Sequence, residues 1–286
     1  IRATSRMADY YPTELGVLAR GKVRYVGEAV VAVVAESRYL AEDAAERVMI
    51  DYDRLGDAVD PLANINDDSP LLHEDAGTNV LVTRTFHRGD VDEAMDGAAV
   101  RVRDTFHMHR KTPTAMENRG YVADYDQGRR TLTLHSTTQI PGIIRDALEE
   151  MLGIPGNRLR VIVPDLGGGF GGKASLYPEE VLVCLLARRL VRPVKWLSDR
   201  REDLMTTSQA FDEIVEAELG LDGKGNILGL RANCIGDGGA YSVYPWTAAI
   251  EPVQVVSFLP GPYRVANYWA RARAVATSKA PTGAYR

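Results

Sequence analysis

The sequence predicts a mixed α+β protein, and three observations carry that prediction. Residues 30–35 (VVAVVA) form a β-branched run followed by a helical repeat, and several segments between residues 100 and 136 alternate as strands do. Two further helical patterns flank a glycine-rich stretch. The chain has 286 residues, of which 45% are hydrophobic and 26% charged, so it can build a sizeable core.

The N-terminal part indicates a small α/β unit. Residues 30–35 predict a buried strand, Ser37 is a suitable N-cap for a helix through residue 47, and residues 49–52 resume strand character. The unit ends near Pro61. Residues 62–79 are rich in Asn, Asp and Pro, which indicates a linker.

The rest of the chain alternates between strands and helices. A hairpin signal at 126–128 separates two of the strands, and Gly153 is a suitable C-cap for the first of the helices. The predicted strands are 100–109, 121–125, 130–136, 159–163, 194–197, 213–219 and 227–236, and the predicted helices are 143–152 and 178–190.

The glycine-rich stretch from Gly167 to Lys173 is the strongest chemical signal. Five glycines in six positions, after a strand and before a helix, allow positive φ and close approach of a bulky or anionic group. A flexible loop is the plainer interpretation. The spacing also satisfies a dinucleotide fingerprint, although the surrounding βαβ pattern is weak. A phosphate-binding P-loop fails, because Ala174 stands where Ser or Thr is needed.

Composition limits the other classes. A net charge of −5 argues against nucleic-acid binding, and the two cysteines, Cys184 and Cys234, provide no disulfide framework or iron–sulfur cluster. No apolar run is long enough to cross a membrane, and we expect a cytoplasmic protein. Because the chain starts at Ile1 and stops at Arg286, we interpret both ends as cuts in a longer protein.

Several segments, in this order, resemble one known family. They are residues 22–35, Ser136-Thr-Thr-Gln139, the Gly167–Lys173 stretch, residues 237–241 (DGGAY) and residues 281–286 (PTGAYR). Together they resemble the large chain of the xanthine dehydrogenase, aldehyde oxidase and carbon monoxide dehydrogenase family. The resemblance implies the C-terminal part of an α/β hammerhead domain at 1–62, a linker at 63–85, and the incomplete first molybdopterin-binding domain at 86–286.

The resemblance also implies roles for individual residues. Gln139 would donate a hydrogen bond to an oxo ligand of molybdenum, Phe170 would lie beside the metal, and Arg286 would contact the cofactor near it. Backbone contacts would come from Gly168, Gly169 and Gly171. The family's catalytic glutamate lies far downstream, so no catalytic residue is expected here. Glu117 we interpret as structural or pocket-lining.

Two positions bear on the substrate. Ala174 stands where xanthine dehydrogenases have a glutamate, and Gln254 falls where they have an arginine, so the resemblance argues against xanthine. Residues 281–286 resemble the carbon monoxide dehydrogenase-like and aldehyde oxidase-like branches, and Thr282-Gly283 favours a copper-free site. The implied function is hydroxylation of an aldehyde, N-heterocycle or similar small molecule. The alternatives are a carbon monoxide dehydrogenase large chain, a non-catalytic remnant or a nicotinamide-dependent dehydrogenase.

The implied cofactor is molybdenum–molybdopterin in its cytosine dinucleotide form. The implied partners are a small subunit with 2Fe-2S clusters and a medium subunit with FAD, assembled as a dimer of heterotrimers. The 286 residues alone are expected to be inactive. His107 and His109 share one strand face without a third ligand, residues 200–203 (RRED) suggest a solvated face, and Cys184 suggests a core position.

Overall fold

The computed structural model describes residues 1–5, 7, 9–66 and 68–285. It contains seven α-helices and nine strands within those residues. The helices are α1 (Arg38–Ala45), α2 (Pro61–Asn64), α3 (Val91–Asp96), α4 (Pro141–Leu152), α5 (Pro178–Leu190), α6 (Arg200–Thr206) and α7 (Ile250–Phe258). The strands are β1 (Val80–Arg88), β2 (Val100–Met108), β3 (Gly120–Asp126), β4 (Thr131–Ser136), β5 (Leu159–Ile162), β6 (Val194–Leu197), β7 (Glu213–Leu221), β8 (Ile227–Gly239) and β9 (Asn267–Ala276).

The strands form two sheets. The first has the order β1-β9-β8-β7-β2, in which only β8 and β9 run parallel. The second has the order β5-β4-β3-β6, in which only β4 and β5 run parallel. The predicted α+β class is therefore confirmed, and so is the antiparallel hairpin of β3 and β4 around residues 126–128.

Helices α4 and α5 cover the second sheet and form its core. The apolar faces of both helices pack against the inner side chains of β3 and β4. Cys184 lies on the apolar face of α5. Cys184 is fully buried, as predicted. Gly153 ends α4 at a φ of +61°, which confirms the predicted C-cap. Ser136, at the end of β4, donates to Glu180 of α5 at 2.6 Å and ties that strand end to the start of the helix.

The N-terminal unit differs from the prediction. Ser37 does cap α1, since its side chain accepts from the amide of Leu40. Residues 30–35 and 49–52, however, are not strands, and Val31 (47%) and Met49 (90%) are exposed. The prediction of a buried strand at 30–35 is wrong within the described residues, because no other described strand lies beside that segment to complete a ladder.

Part of the predicted linker is packed into the fold. Leu72 and His73 are buried, and Val80–Arg88 forms β1 at the edge of the first sheet. In the same segment, the side-chain amide of buried Asn64 donates hydrogen bonds to the backbone carbonyls of Ala58 (2.7 Å) and Ala276 (3.1 Å). None of the described helices is long and apolar enough to span a membrane.

Candidate functional site

The glycine-rich loop connects β5 to α5 and has an unusual backbone. Gly168 and Gly171 have φ values of +99° and +95°, and Phe170 between them has +49°. The left-handed region disfavours a residue with a Cβ, so Phe170 is held there by its surroundings. Phe170 is 57% exposed, whereas Gly169 and Gly171 are buried. The loop therefore presents an aromatic ring to solvent from a fixed backbone.

Gln139 holds the loop from the end of β4. Its side-chain oxygen accepts from the backbone amides of Gly171 (3.0 Å) and Lys173 (3.3 Å), and its backbone N–H donates to the Lys173 carbonyl (2.8 Å). These bonds fix which end of the Gln139 side chain is the carbonyl. The NH2 group makes no hydrogen bond to the described residues and stays available as a donor on an exposed side chain.

Glu117 clamps both ends of the loop. One carboxylate oxygen accepts from the Gly167 amide at 3.0 Å and from the Lys173 ammonium at 2.6 Å. Partial burial opposes ionisation, but the hydrogen bonds from Lys173 and Gly167 hold the pKa of Glu117 below its ordinary value. Since the Lys173 side chain is only 3% exposed, this ion pair is shielded from water on one side. The interpretation of Glu117 as structural agrees with this geometry.

Arg119 supports the far side of the loop through Tyr177. Its guanidinium lies 3.9 Å from the Tyr177 ring centroid, and the Tyr177 hydroxyl donates to the Gly172 carbonyl. The guanidinium also donates to Thr207 at 3.0 Å and lies 3.5 Å from the Asp203 carboxylate. Arg119 is 1% exposed, and Asp203 is buried in α6. The prediction of a solvated face at 200–203 is therefore wrong for Asp203.

The chain near residue 285 lies directly against the loop. A Cβ on Gly171 would fall 2.7 Å from the carbonyl carbon of Ala284 and 2.9 Å from the Tyr285 Cα. The same segment is tied to Gln209, whose carbonyl accepts from the Gly283 amide at 2.8 Å. Arg286, which the resemblance places near the metal, lies outside the described residues.

Residues 237–241 contact the segment near residue 282 through a backbone hydrogen bond and a group of ion pairs. The Thr282 amide donates to the Gly238 carbonyl at 3.1 Å. Beside it, the fully buried Asp237 carboxylate lies 3.1 Å from Arg110 and 2.6 Å from Lys279. The structure thus brings together the four segments near residues 139, 170, 238 and 284 that the sequence singled out.

The two substrate positions lie in different places. Ala174 is buried at the end of the loop, where its amide donates to the Gly171 carbonyl at 2.9 Å and its carbonyl accepts from the Trp246 indole at 2.6 Å. Gln254 is exposed on α7, which packs against β8 and β9 of the other sheet. His107 and His109 are both exposed. Among the described residues, no group of three or more His, Cys, Asp or Glu side chains could hold a metal ion directly.

Sequence reasoning missed Arg119, Tyr177 and Tyr285 as supports of the site. Arg119 depends on Glu179 and Thr207, which are 60 and 88 residues away, and Tyr285 lies against the distant Gly171, so no local spacing encodes these contacts. A weak signal existed in Arg119, since it lies two residues before the predicted strand 121–125, and an arginine buried there needs acidic partners.

Comparison with known proteins identifies the family. The model described as "Molybdopterin cofactor-binding domain" matches residues 72–286, and "Aldehyde oxidase and xanthine dehydrogenase, a/b hammerhead domain" matches residues 4–56. The chain is 39% identical over 271 residues to the nicotine 6-hydroxylase large subunit of Paenarthrobacter nicotinovorans, covering 94% of this chain and 33% of that one. It is 34% identical over 288 residues to the carbon monoxide dehydrogenase large chain of Hydrogenophaga pseudoflava, covering 94% and 35%.

Solved structures of members of the same family superpose closely on this chain. Quinoline 2-oxidoreductase from Pseudomonas putida 86 superposes with a TM-score of 0.97 at 38% identity, over 100% of this chain and 36% of that one. The CO dehydrogenase of Oligotropha carboxidovorans superposes with a TM-score of 0.87 at 33% identity, over 97% and 37%. The chain spans about a third of the length of these relatives. The chain therefore belongs to the molybdopterin-binding large-subunit family of the xanthine dehydrogenases, aldehyde oxidases and carbon monoxide dehydrogenases.

Proposed function

We propose that this chain is the cofactor-holding part of a molybdenum hydroxylase that acts on an N-heterocycle, an aldehyde or a similar small molecule with oxygen from water. The arrangement of Gln139 carries the proposal. Two loop amides occupy its carbonyl oxygen, so its free NH2 donors suit an oxo ligand of the metal. The exposed Phe170 ring lies on the same loop and suits a wall beside the cofactor.

When bound, the molybdenum–molybdopterin cofactor, proposed here in its cytosine dinucleotide form, supplies the two-electron oxidant for the hydroxylation. The chain's share is to hold that group. In the proposal Gly168, Gly169 and Gly171 give backbone contacts, and Phe170 excludes water from the metal. Arg286 follows Tyr285 in the chain and is proposed to contact the cofactor near the metal.

An N-heterocyclic substrate is the version that the relatives favour. Two of the similar proteins are named for nicotine and quinoline, both N-heterocycles. Carbon monoxide remains the second candidate, because two carbon monoxide dehydrogenase large chains are 34% and 38% identical to this chain. Subunits carrying 2Fe-2S clusters and FAD, in a dimer of heterotrimers, are proposed partners. The names "large subunit" and "large chain" of the relatives support a multi-subunit enzyme.

The test is made on the full-length large chain purified with its partner subunits. Molybdenum is measured by mass spectrometry, and the complex is offered quinoline, nicotine, benzaldehyde and carbon monoxide in ¹⁸O-labelled water. We expect about one molybdenum per large chain and ¹⁸O in the product of an N-heterocycle. Oxidation of carbon monoxide alone would select the second candidate. A complex without molybdenum, or one that reduces a nicotinamide dinucleotide without it, would refute the proposal.

A further inference from the structure

Phe211 has a backbone conformation that needs support. Its φ is +51°, in the left-handed region that disfavours residues with a Cβ. Glu251, in the first turn of α7, supplies a direct contact, because its carboxylate accepts a hydrogen bond from the Phe211 amide at 2.9 Å. Burial raises the pKa of Glu251 to about 7, and the bond is stronger than one between neutral groups where the carboxylate is ionised.

The Phe211 ring extends from this position to the candidate site. It packs edge-on against the ring of Tyr285, with centroids 5.4 Å apart and planes at 78°. The Lys111 ammonium also lies 5.5 Å from the Phe211 centroid. Tyr285 in turn lies with its Cα 2.9 Å from the point where a Cβ of Gly171 would be. Phe211 therefore links α7 to the glycine-rich loop.

We propose that Glu251 is a positioning residue for the cofactor site, acting through Phe211 and Tyr285 on Gly171. It fixes the Phe211 backbone, the Phe211 ring fixes Tyr285, and Tyr285 closes over the loop. This inference rests on the proposed function, since the site it serves is the one proposed to hold molybdopterin. The backbone bond from Gly283 to Gln209 holds the same segment independently, so losing Glu251 weakens the site without abolishing it.

The experiment measures cofactor retention in the full-length large chain purified with its partners. Molybdenum per chain after gel filtration and the apparent Tm are recorded for Glu251→Ala, Glu251→Gln, Phe211→Gly and the double variant Glu251→Ala/Phe211→Gly. Glu93→Ala is the matched control, because Glu93 lies in the first turn of α3, is exposed and makes no side-chain hydrogen bond to the described residues.

We expect Glu251→Ala to lower molybdenum retention about fivefold, the equivalent of one lost hydrogen bond. Glu251→Gln keeps an acceptor for the Phe211 amide and stays near the wild type, as does Glu93→Ala. Phe211→Gly removes both the strained Cβ and the ring, so adding Glu251→Ala to it causes no further loss. This coupling separates positioning from general destabilisation, which would lower the Tm equally in both backgrounds.

Two results would overturn the inference while leaving the proposed function intact. One is a Glu251→Ala complex that retains as much molybdenum as a molybdenum-containing wild type. The other is a pair of losses that simply add in the double variant. A wild-type complex that contains no molybdenum would overturn both.

Discussion

Replacing Gly171 with alanine perturbs the point where the loop meets the chain near residue 285. The φ of Gly171 is +95°, and its Cβ would fall 2.7 Å from the Ala284 carbonyl carbon and 2.9 Å from the Tyr285 Cα. Both are backbone atoms, so no side-chain rotation relieves the overlap. The substitution therefore forces the loop away from that segment and strains the Gly171–Gln139 hydrogen bond (3.0 Å).

The free-energy cost of Gly171→Ala has two parts. A left-handed backbone with a Cβ costs about 1–2 kcal/mol, and overpacking a filled site costs about 1–3 kcal/mol, giving roughly 2–5 kcal/mol together. Gly153→Ala is the matched control. Gly153 also has a positive φ, +61°, but no atom lies within 4 Å of its built Cβ. The difference between the two variants isolates the contact with residues 284 and 285.

Hydrogen–deuterium exchange of peptides covering residues 166–174 provides the local measurement. Since each 1.4 kcal/mol is about a factor of ten, Gly171→Ala should reduce loop protection by at least about tenfold. Molybdenum retained by the full-length complex should fall with it. Gly153→Ala should leave loop exchange unchanged. If the Gly171→Ala variant shows wild-type deuterium uptake at residues 166–174 and wild-type molybdenum content, the reasoning is wrong.

Three further outcomes follow from buried charges. Arg119→Met removes the buried guanidinium beside Asp203 and Glu179, leaving the half-exposed Arg200, at 3.6 Å, as a cation next to Asp203. It should lower the free energy of unfolding by about 3–5 kcal/mol, read from urea denaturation, with Arg119→Met/Asp203→Asn recovering part of it. Glu117→Gln removes the charge paired with Lys173 and should increase loop exchange, whereas an unchanged rate would contradict the clamp. Burial, with the charges of Glu251 and Asp212, raises the pKa of Glu213 to about 8. The folded chain then holds a proton that the unfolded chain releases, so stability falls by up to about 1.4 kcal/mol per pH unit between roughly pH 4.5 and 8. Thermal unfolding of Glu213→Gln across that range should show a flatter pH dependence.

Local patterns were enough to predict the elements that flank the site. The strict alternation at 130–136 became β4, the helical repeat at 143–152 lies within α4, and the glycine-rich stretch does connect a strand to a helix. These elements depend on neighbours a few residues away, and such neighbours are what a sequence pattern records. Gln139, by contrast, was identified through the resemblance of Ser136-Thr-Thr-Gln139 to the family's motif, since its local pattern alone suits an ordinary polar residue at a helix start.

Features that depend on distant partners were not predictable in this way. The run at 30–35 has the composition of a strand, yet it pairs with no segment that the structure describes, and a strand exists only where another chain segment lies beside it. Conversely, β9 was missed, since its buried face is alanine at 270, 272, 274 and 276, a residue typical of helices. There pairing on both sides, with β1 and β8, overrides local propensity.

The glycines of the loop show most clearly how the site is built. A glycine-rich loop suggests a backbone left open for a ligand, but a Cβ on each of four of these glycines would collide with the protein itself. The atoms met are Glu117 Cβ (2.5 Å) at Gly167, Gln139 Cδ (2.5 Å) at Gly169, Ala284 C (2.7 Å) at Gly171 and Pro113 Cγ (2.5 Å) at Gly172. The partners come from three parts of the chain, residues 113–117, Gln139 and Ala284. The glycines are therefore needed because three segments close on the loop at once, and that closure is what fixes Phe170 and the free amide of Gln139 in place.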